Sequence, residues 1–177
     1  MRFERTTLIM RTSSSRINIV GRVTVLLFLA ASTGFTQSAS ILERLHGSWR
    51  GDGKTMGLPA TLHITWERVL AEKFLRLTLT NEMKRPTGER QRFEGHGYYQ
   101  LKEGACEGAW FDSRGASFPI KCSLKGQSLI ALWGAADTER GKSIYSLLAD
   151  GRLEVVDSVM QKDGNFKEFG RFVLSRD

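Results

Sequence analysis

What this sequence lacks removes whole classes of protein. After residue 46 no segment keeps a helical period for three turns, which excludes helical bundles. There is no Ser-His-Asp order, Gly-x-Ser-x-Gly, Gly-rich phosphate loop or ligand-spaced His/Cys cluster, so catalysis has no positive signal and no metal is expected. No internal repeat, linker or second domain is visible. The apolar run near the start, 23–31, has nine residues, less than half of the ~20 that a membrane helix needs. Arg-Arg pairs are absent, which leaves the twin-arginine export route without support. No cysteine lies near residues 31–40, and this excludes a lipid anchor on a new N-terminal Cys.

What is present at the N-terminus has the layout of a cleaved export signal. Arg11, Arg16 and Arg22 supply positive charge with no acid between them, and the run VTVLLFLAA follows. Small and polar residues then continue to Ser40. We read 1–39 as a signal peptide, with Met1 or Met10 as its start, and 40–177 as one domain. The full chain has a formal charge of +7. Five arginines (Arg2, Arg5, Arg11, Arg16, Arg22) and one acid (Glu4) belong to the signal, leaving 21 basic and 18 acidic residues, or +3. Nucleic-acid binding thereby loses its main support. The expected location is periplasmic or secreted, with no membrane span in the mature protein.

The mature chain begins with one amphipathic helical turn at 41–46 and thereafter alternates with period two. Leu62, Ile64 and Trp66 form one face; Leu75, Leu77 and Leu79 form another; Phe93, Gly95, Gly97 and Tyr99 a third. Further strands are expected at 47–52, 105–112, 116–123, 127–134, 142–148, 152–161 and 165–175. Asp112-Ser113-Arg114-Gly115, Lys125-Gly126, Asp150-Gly151 and Asp163-Gly164-Asn165 provide hairpin turns between them. About ten strands in an antiparallel up-and-down meander must hide their edges, most simply by closing into a barrel. A membrane-spanning barrel fails on parity, because Thr61, His63, Thr65 and Glu67 would face lipid.

The helical turn leading into Gly47-Ser48-Trp49, and the basic ending of 169–176, resemble the calycin superfamily. The stretches 93–99 (FEGHGYY) and 108–113 (GAWFDS) resemble lipocalin-like bacterial families of unknown function. The resemblance implies that Trp49 closes the barrel base with Arg176 or Arg171 packed over it. It also implies a cavity for a small apolar molecule. Two departures narrow it. Residues 52–58 are too few for the helical hairpin of fatty-acid-binding proteins. No histidine follows His96, as a nitrobindin-type haem barrel would require, so no cofactor is expected.

Parity also orders the reactive side chains. His63 and His96 oppose the apolar faces and should point outward, while His46 is expected near the barrel mouth; the three do not converge. Glu94, Glu107 and Asp112 come from neighbouring strands, the nearest approach to an acid/base pair. If Arg114 is the apex of its turn, facing residues sum to 228, which sets Cys106 opposite Cys122. In an oxidising compartment these are expected to form a disulfide, the alternative being two free buried thiols. The inner wall is expected to include Leu62, Ile64, Trp66, Leu75, Leu77, Leu79, Phe93 and Tyr99, with the Tyr99 hydroxyl as one polar handle. A ten-stranded barrel exceeds the width that its own side chains fill, and inward glycines at 95, 97, 108 and 134 should add space.

The expected function is binding of a small hydrophobic or amphipathic molecule by an exported barrel. The rivals are a filled barrel acting through protein contacts, and, last, an enzyme using the mouth. N-terminal sequencing of the exported protein should place the cleavage within 31–40; an intact Met1 or Met10 would refute the signal.

Overall fold

Strict alternation of buried and half-buried residues along Phe74–Lys84 and Gly141–Leu147 is the signature of strands with one face inward. The computed structural model describes residues 40–102 and 105–177; the expected signal peptide lies outside the described residues. One short helix, α1 (Ile41–Leu45), precedes ten strands. These are β1 (Gly47–Thr55), β2 (Leu58–Val69), β3 (Phe74–Lys84), β4 (Arg90–Lys102) and β5 (Ala105–Asp112). The second half continues with β6 (Ser117–Lys125), β7 (Ser128–Trp133), β8 (Gly141–Leu147), β9 (Leu153–Met160) and β10 (Phe166–Arg176). Each strand pairs antiparallel with the next, and β10 returns to pair with β1, so the described domain is a closed up-and-down barrel.

Closure gives the barrel two unlike ends. The hairpins β1–β2, β3–β4, β5–β6, β7–β8 and β9–β10 gather at one end, the mouth. The other end, the base, is plugged by α1, whose Ile41, Leu42 and Leu45 are buried in the core. A five-residue helix has little stability of its own, so its termini need partners. Ser40 and Glu43 form a reciprocal capping box at its start. At its end the Trp49 indole N–H donates to the Leu45 carbonyl at 2.8 Å. The Arg176 guanidinium donates to the carbonyls of Arg44 at 2.6 Å and His46 at 2.5 Å. It also lies 4.3 Å from the centre of the Trp49 ring. Gly47 makes this packing feasible: its φ of +110° suits glycine, and a Cβ there would come within 2.7 Å of Arg176.

Of the two arginines considered for this position, Arg176 holds it. Arg171 points outward and pairs with Glu168 and Glu154. His46 requires a correction: it caps α1 at the plugged base, exposed, and not at the mouth. The β5–β6 register sets Cys106 across from Cys122, and the two form a disulfide with Cα atoms 4.9 Å apart. Gly115 takes the left-handed conformation (φ +80°) that the turn between them requires. By constraining a loop of sixteen residues, the bond should remove about 3 kcal/mol of unfolded-chain entropy.

Above the plug the barrel is packed solid. Trp66 is 0 % exposed, with the Tyr99 ring 5.3 Å away and the Tyr145 ring edge-on at 5.1 Å. Trp66→Ala should therefore cost about 3–5 kcal/mol, as much as Trp49→Ala. Urea unfolding of both variants checks this; a near-neutral Trp66→Ala would mean that the indole borders open space.

Candidate functional site

The mouth half of the barrel is hollow. A cavity of about 710 Å³ extends inward from the mouth hairpins to the rings of Tyr99 and Tyr145. Of the expected wall residues, Leu62, Leu79, Phe93 and Tyr99 line it. Ile64, Trp66, Leu75 and Leu77 also face inward and are buried, but they belong to the packed base and do not reach the open space. Parity along a strand identifies which face a side chain takes, but not its height in the barrel. That is the physical reason for the split.

The inward glycines do not open the cavity. A Cβ at Gly95 would fall 2.1 Å from the Trp110 ring, and one at Gly97 would fall 2.7 Å from the Tyr99 ring. Gly141 is covered in the same way by the Trp133 ring, 1.9 Å from where its Cβ would be. These glycines are seats for large rings leaning across from the same or the adjacent strand. At Gly108 and Gly134 the blocking atoms are backbone carbonyls, so neither of these glycines adds space. The hollow comes instead from the width of ten strands.

Polar groups cluster on one side of the wall. Register aligns Thr55, Gly170, Asp157, Ser143 and Ala131 across five neighbouring strands. Asp157 faces inward, on the same side of β9 as Leu153, Val155 and Val159. The Ser143 hydroxyl donates to its Oδ1 at 2.6 Å and accepts from the Trp133 indole N–H at 3.3 Å. Next to Ser143, the Tyr145 hydroxyl approaches that of Tyr99. Both phenols are pushed up by burial, so they stay protonated at any ordinary pH. Two strands beyond Thr55, the Asn81 amide donates to Thr55 Oγ1 at 2.8 Å, and its Oδ1 has no partner among the described residues.

Asp157 and Asp112 show how environment separates two carboxylates. Burial acts on both. At Asp112, near the mouth, hydrogen bonds from Arg114 outweigh it and hold the carboxyl below its usual range. At Asp157 burial is opposed only by Ser143, and the carboxyl is pushed up to about 6. The expected acid/base neighbours do not converge: Glu94 pairs with Arg92 and Glu107 with Lys102 on the barrel exterior. No histidine lines the cavity among the described residues. The sequence reading did not single out Asp157, Ser143 or Asn81. The signal was legible, because each is a polar residue on an otherwise apolar face (Leu153, Val155, Asp157, Val159; Leu77, Leu79, Asn81, Met83).

Comparison with known proteins agrees with the fold and goes no further. A barrel of the same kind occurs in the crystal structure of Rv2717c from M. tuberculosis, similar over 78 % of this chain and 98 % of that one. The TM-score is 0.56 at 16 % identity. Neither protein-family profiles nor curated proteins give a match.

The elevated Asp157 has a consequence for stability. Its folded value of about 6 exceeds the unfolded value of 3.8, so above pH 6 the ionised carboxylate opposes folding. That opposition is relieved as pH falls from about 6 toward 4. Asp157→Asn should therefore raise the Tm at pH 7.5 by at least about 3 °C, and the gap should narrow below pH 6. Thermal unfolding of both proteins from pH 7.5 to 4 tests this; a gap independent of pH would refute it.

Proposed function

We propose that this protein is an exported, calycin-type binding protein whose barrel holds a small hydrophobic or amphipathic molecule. The observation that carries this reading is the cavity. Its volume of about 710 Å³ falls within the roughly 300–1,000 Å³ typical of small-molecule sites. The wall is mainly aliphatic and aromatic, with few convergent polar groups, which is the composition that binds an apolar body and orients one end of it. The disulfide supports export, since such bonds persist in oxidising compartments. Among the described residues no helix is long and apolar enough to cross a membrane.

Titration with a neutral apolar dye, N-phenyl-1-naphthylamine, tests the reading. Binding is expected tighter than about 100 μM, or roughly −5.5 kcal/mol. Val159 lines the cavity near the mouth, so Val159→Trp should project its indole into the entrance and weaken dye binding at least tenfold without unfolding the barrel. Absence of binding, or equal binding by Val159→Trp, would overturn the proposal.

A further inference from the structure

Asp157 is the one carboxylate of the described cavity wall that no basic side chain balances. Ser143 occupies Oδ1, whereas Oδ2 receives no hydrogen bond from the described residues. No Arg, Lys or His nitrogen lies within 4 Å of it among the described residues. Nor do Ser143 and Trp133 have a proton to spare for it. Ser143 has a single hydroxyl proton, already given to Oδ1, and the Trp133 N–H is given to Ser143. The strand on the other side offers nothing, because the residue facing Asp157 on β10 is Gly170. A Cβ at Gly170 would lie 3.5 Å from Oδ2, so the missing side chain leaves that oxygen's flank uncovered. Tyr99, Tyr145 and Trp133 line the same cavity.

A buried anion without a counter-ion is costly, and a cationic ligand group seated beside it would remove that cost. From this we infer that the ligand is an amphipathic amine, its ammonium group seated against Asp157 Oδ2 and its apolar body filling the cavity toward the mouth. The inference rests on the proposed binding function and names the ligand's chemistry. The other titratable or charged groups facing the cavity are Tyr99 and Tyr145, which stay neutral, and Arg85, Arg92, Arg114 and Glu139 at the mouth. Arg92 pairs with Glu94, and Arg114 with Asp112 and Glu139. Those arginines offer the competing arrangement, a carboxylate ligand held at the mouth with its tail inside. An ammonium needs Asp157 ionised, so its binding should weaken as pH falls below about 6, by up to tenfold per pH unit.

Three probes of equal chain length separate these arrangements: decylamine, decanol and decanoic acid, each displacing N-phenyl-1-naphthylamine from the full mature protein. At pH 7.5 decylamine should bind at least tenfold tighter than decanol, and decanoic acid weaker than both. The amine-to-alcohol ratio should fall toward one in Asp157→Asn, and toward one in the native protein at pH 5. Decanoic acid binding best, or an amine-to-alcohol ratio unmoved by Asp157→Asn, would overturn the inference while leaving the binding function intact. If the dye does not bind at all, the proposed function falls, and this inference with it.

Discussion

The pairing of β1 with β10 is the constraint on which the rest of the molecule depends. Without it, two edge strands would present unpaired backbone groups; with it, the width of a ten-stranded barrel is fixed. That width exceeds what inward side chains alone can fill, so the interior must be completed by other means. At the base it is completed with protein. Helix α1 inserts Ile41, Leu42 and Leu45, and Trp49 and Arg176 satisfy the carbonyls at its end. Both residues come from the closing pair of strands, so barrel closure and plug retention are one structural event. At the mouth no equivalent element enters among the described residues, and the cavity is what remains.

The boundary between the packed and hollow halves has its own composition. Below it, Trp66, Leu75 and Leu77 are sealed by tight ring and aliphatic contacts. At the boundary lie the phenols of Tyr99 and Tyr145, whose rings pack downward on Trp66 while their hydroxyls reach the polar side of the wall. An aromatic residue with a polar tip suits such an interface, one end dry and the other bordering accessible space. Ser143, Asp157 and Thr55 continue the polar level around the wall.

Most of the fold was legible because strand parity is a strong, local signal. The face of every expected wall residue, the strand order and the cysteine register all follow from period two and turn position. The choice between Arg176 and Arg171 was also present in the parity. Phe172 and Leu174 face inward, which sends Arg171 outward and Arg176 toward the Trp49 side. Height along the barrel was not legible, since it depends on the stagger between strands and on where the plug ends. The glycines misled for a related reason: the sequence shows a missing side chain but not the Trp110, Tyr99 or Trp133 ring that covers it. The β2–β3 turn gave no signal either. It passes through Leu70, Ala71 and Glu72, all with positive φ, where glycine or asparagine would be expected.

The polar level also explains why a carboxylate is tolerated at a position where valine would pack as well. Alternation along β9 offers four inward sites, of which three are Leu153, Val155 and Val159. An aliphatic residue at the remaining site would extend the dry wall without any desolvation cost. Asp157 instead carries that cost, seen in the rise of its carboxyl to about 6, and receives only the Ser143 hydrogen bond in return. Ser143 in turn is positioned by Trp133, whose ring occupies the place of a side chain at Gly141. Three residues on two strands thus hold one carboxylate at a fixed orientation with one oxygen left over. Local sacrifices of stability of this kind concentrate where a protein meets another molecule, and in this barrel the sacrifice falls on the wall of its cavity.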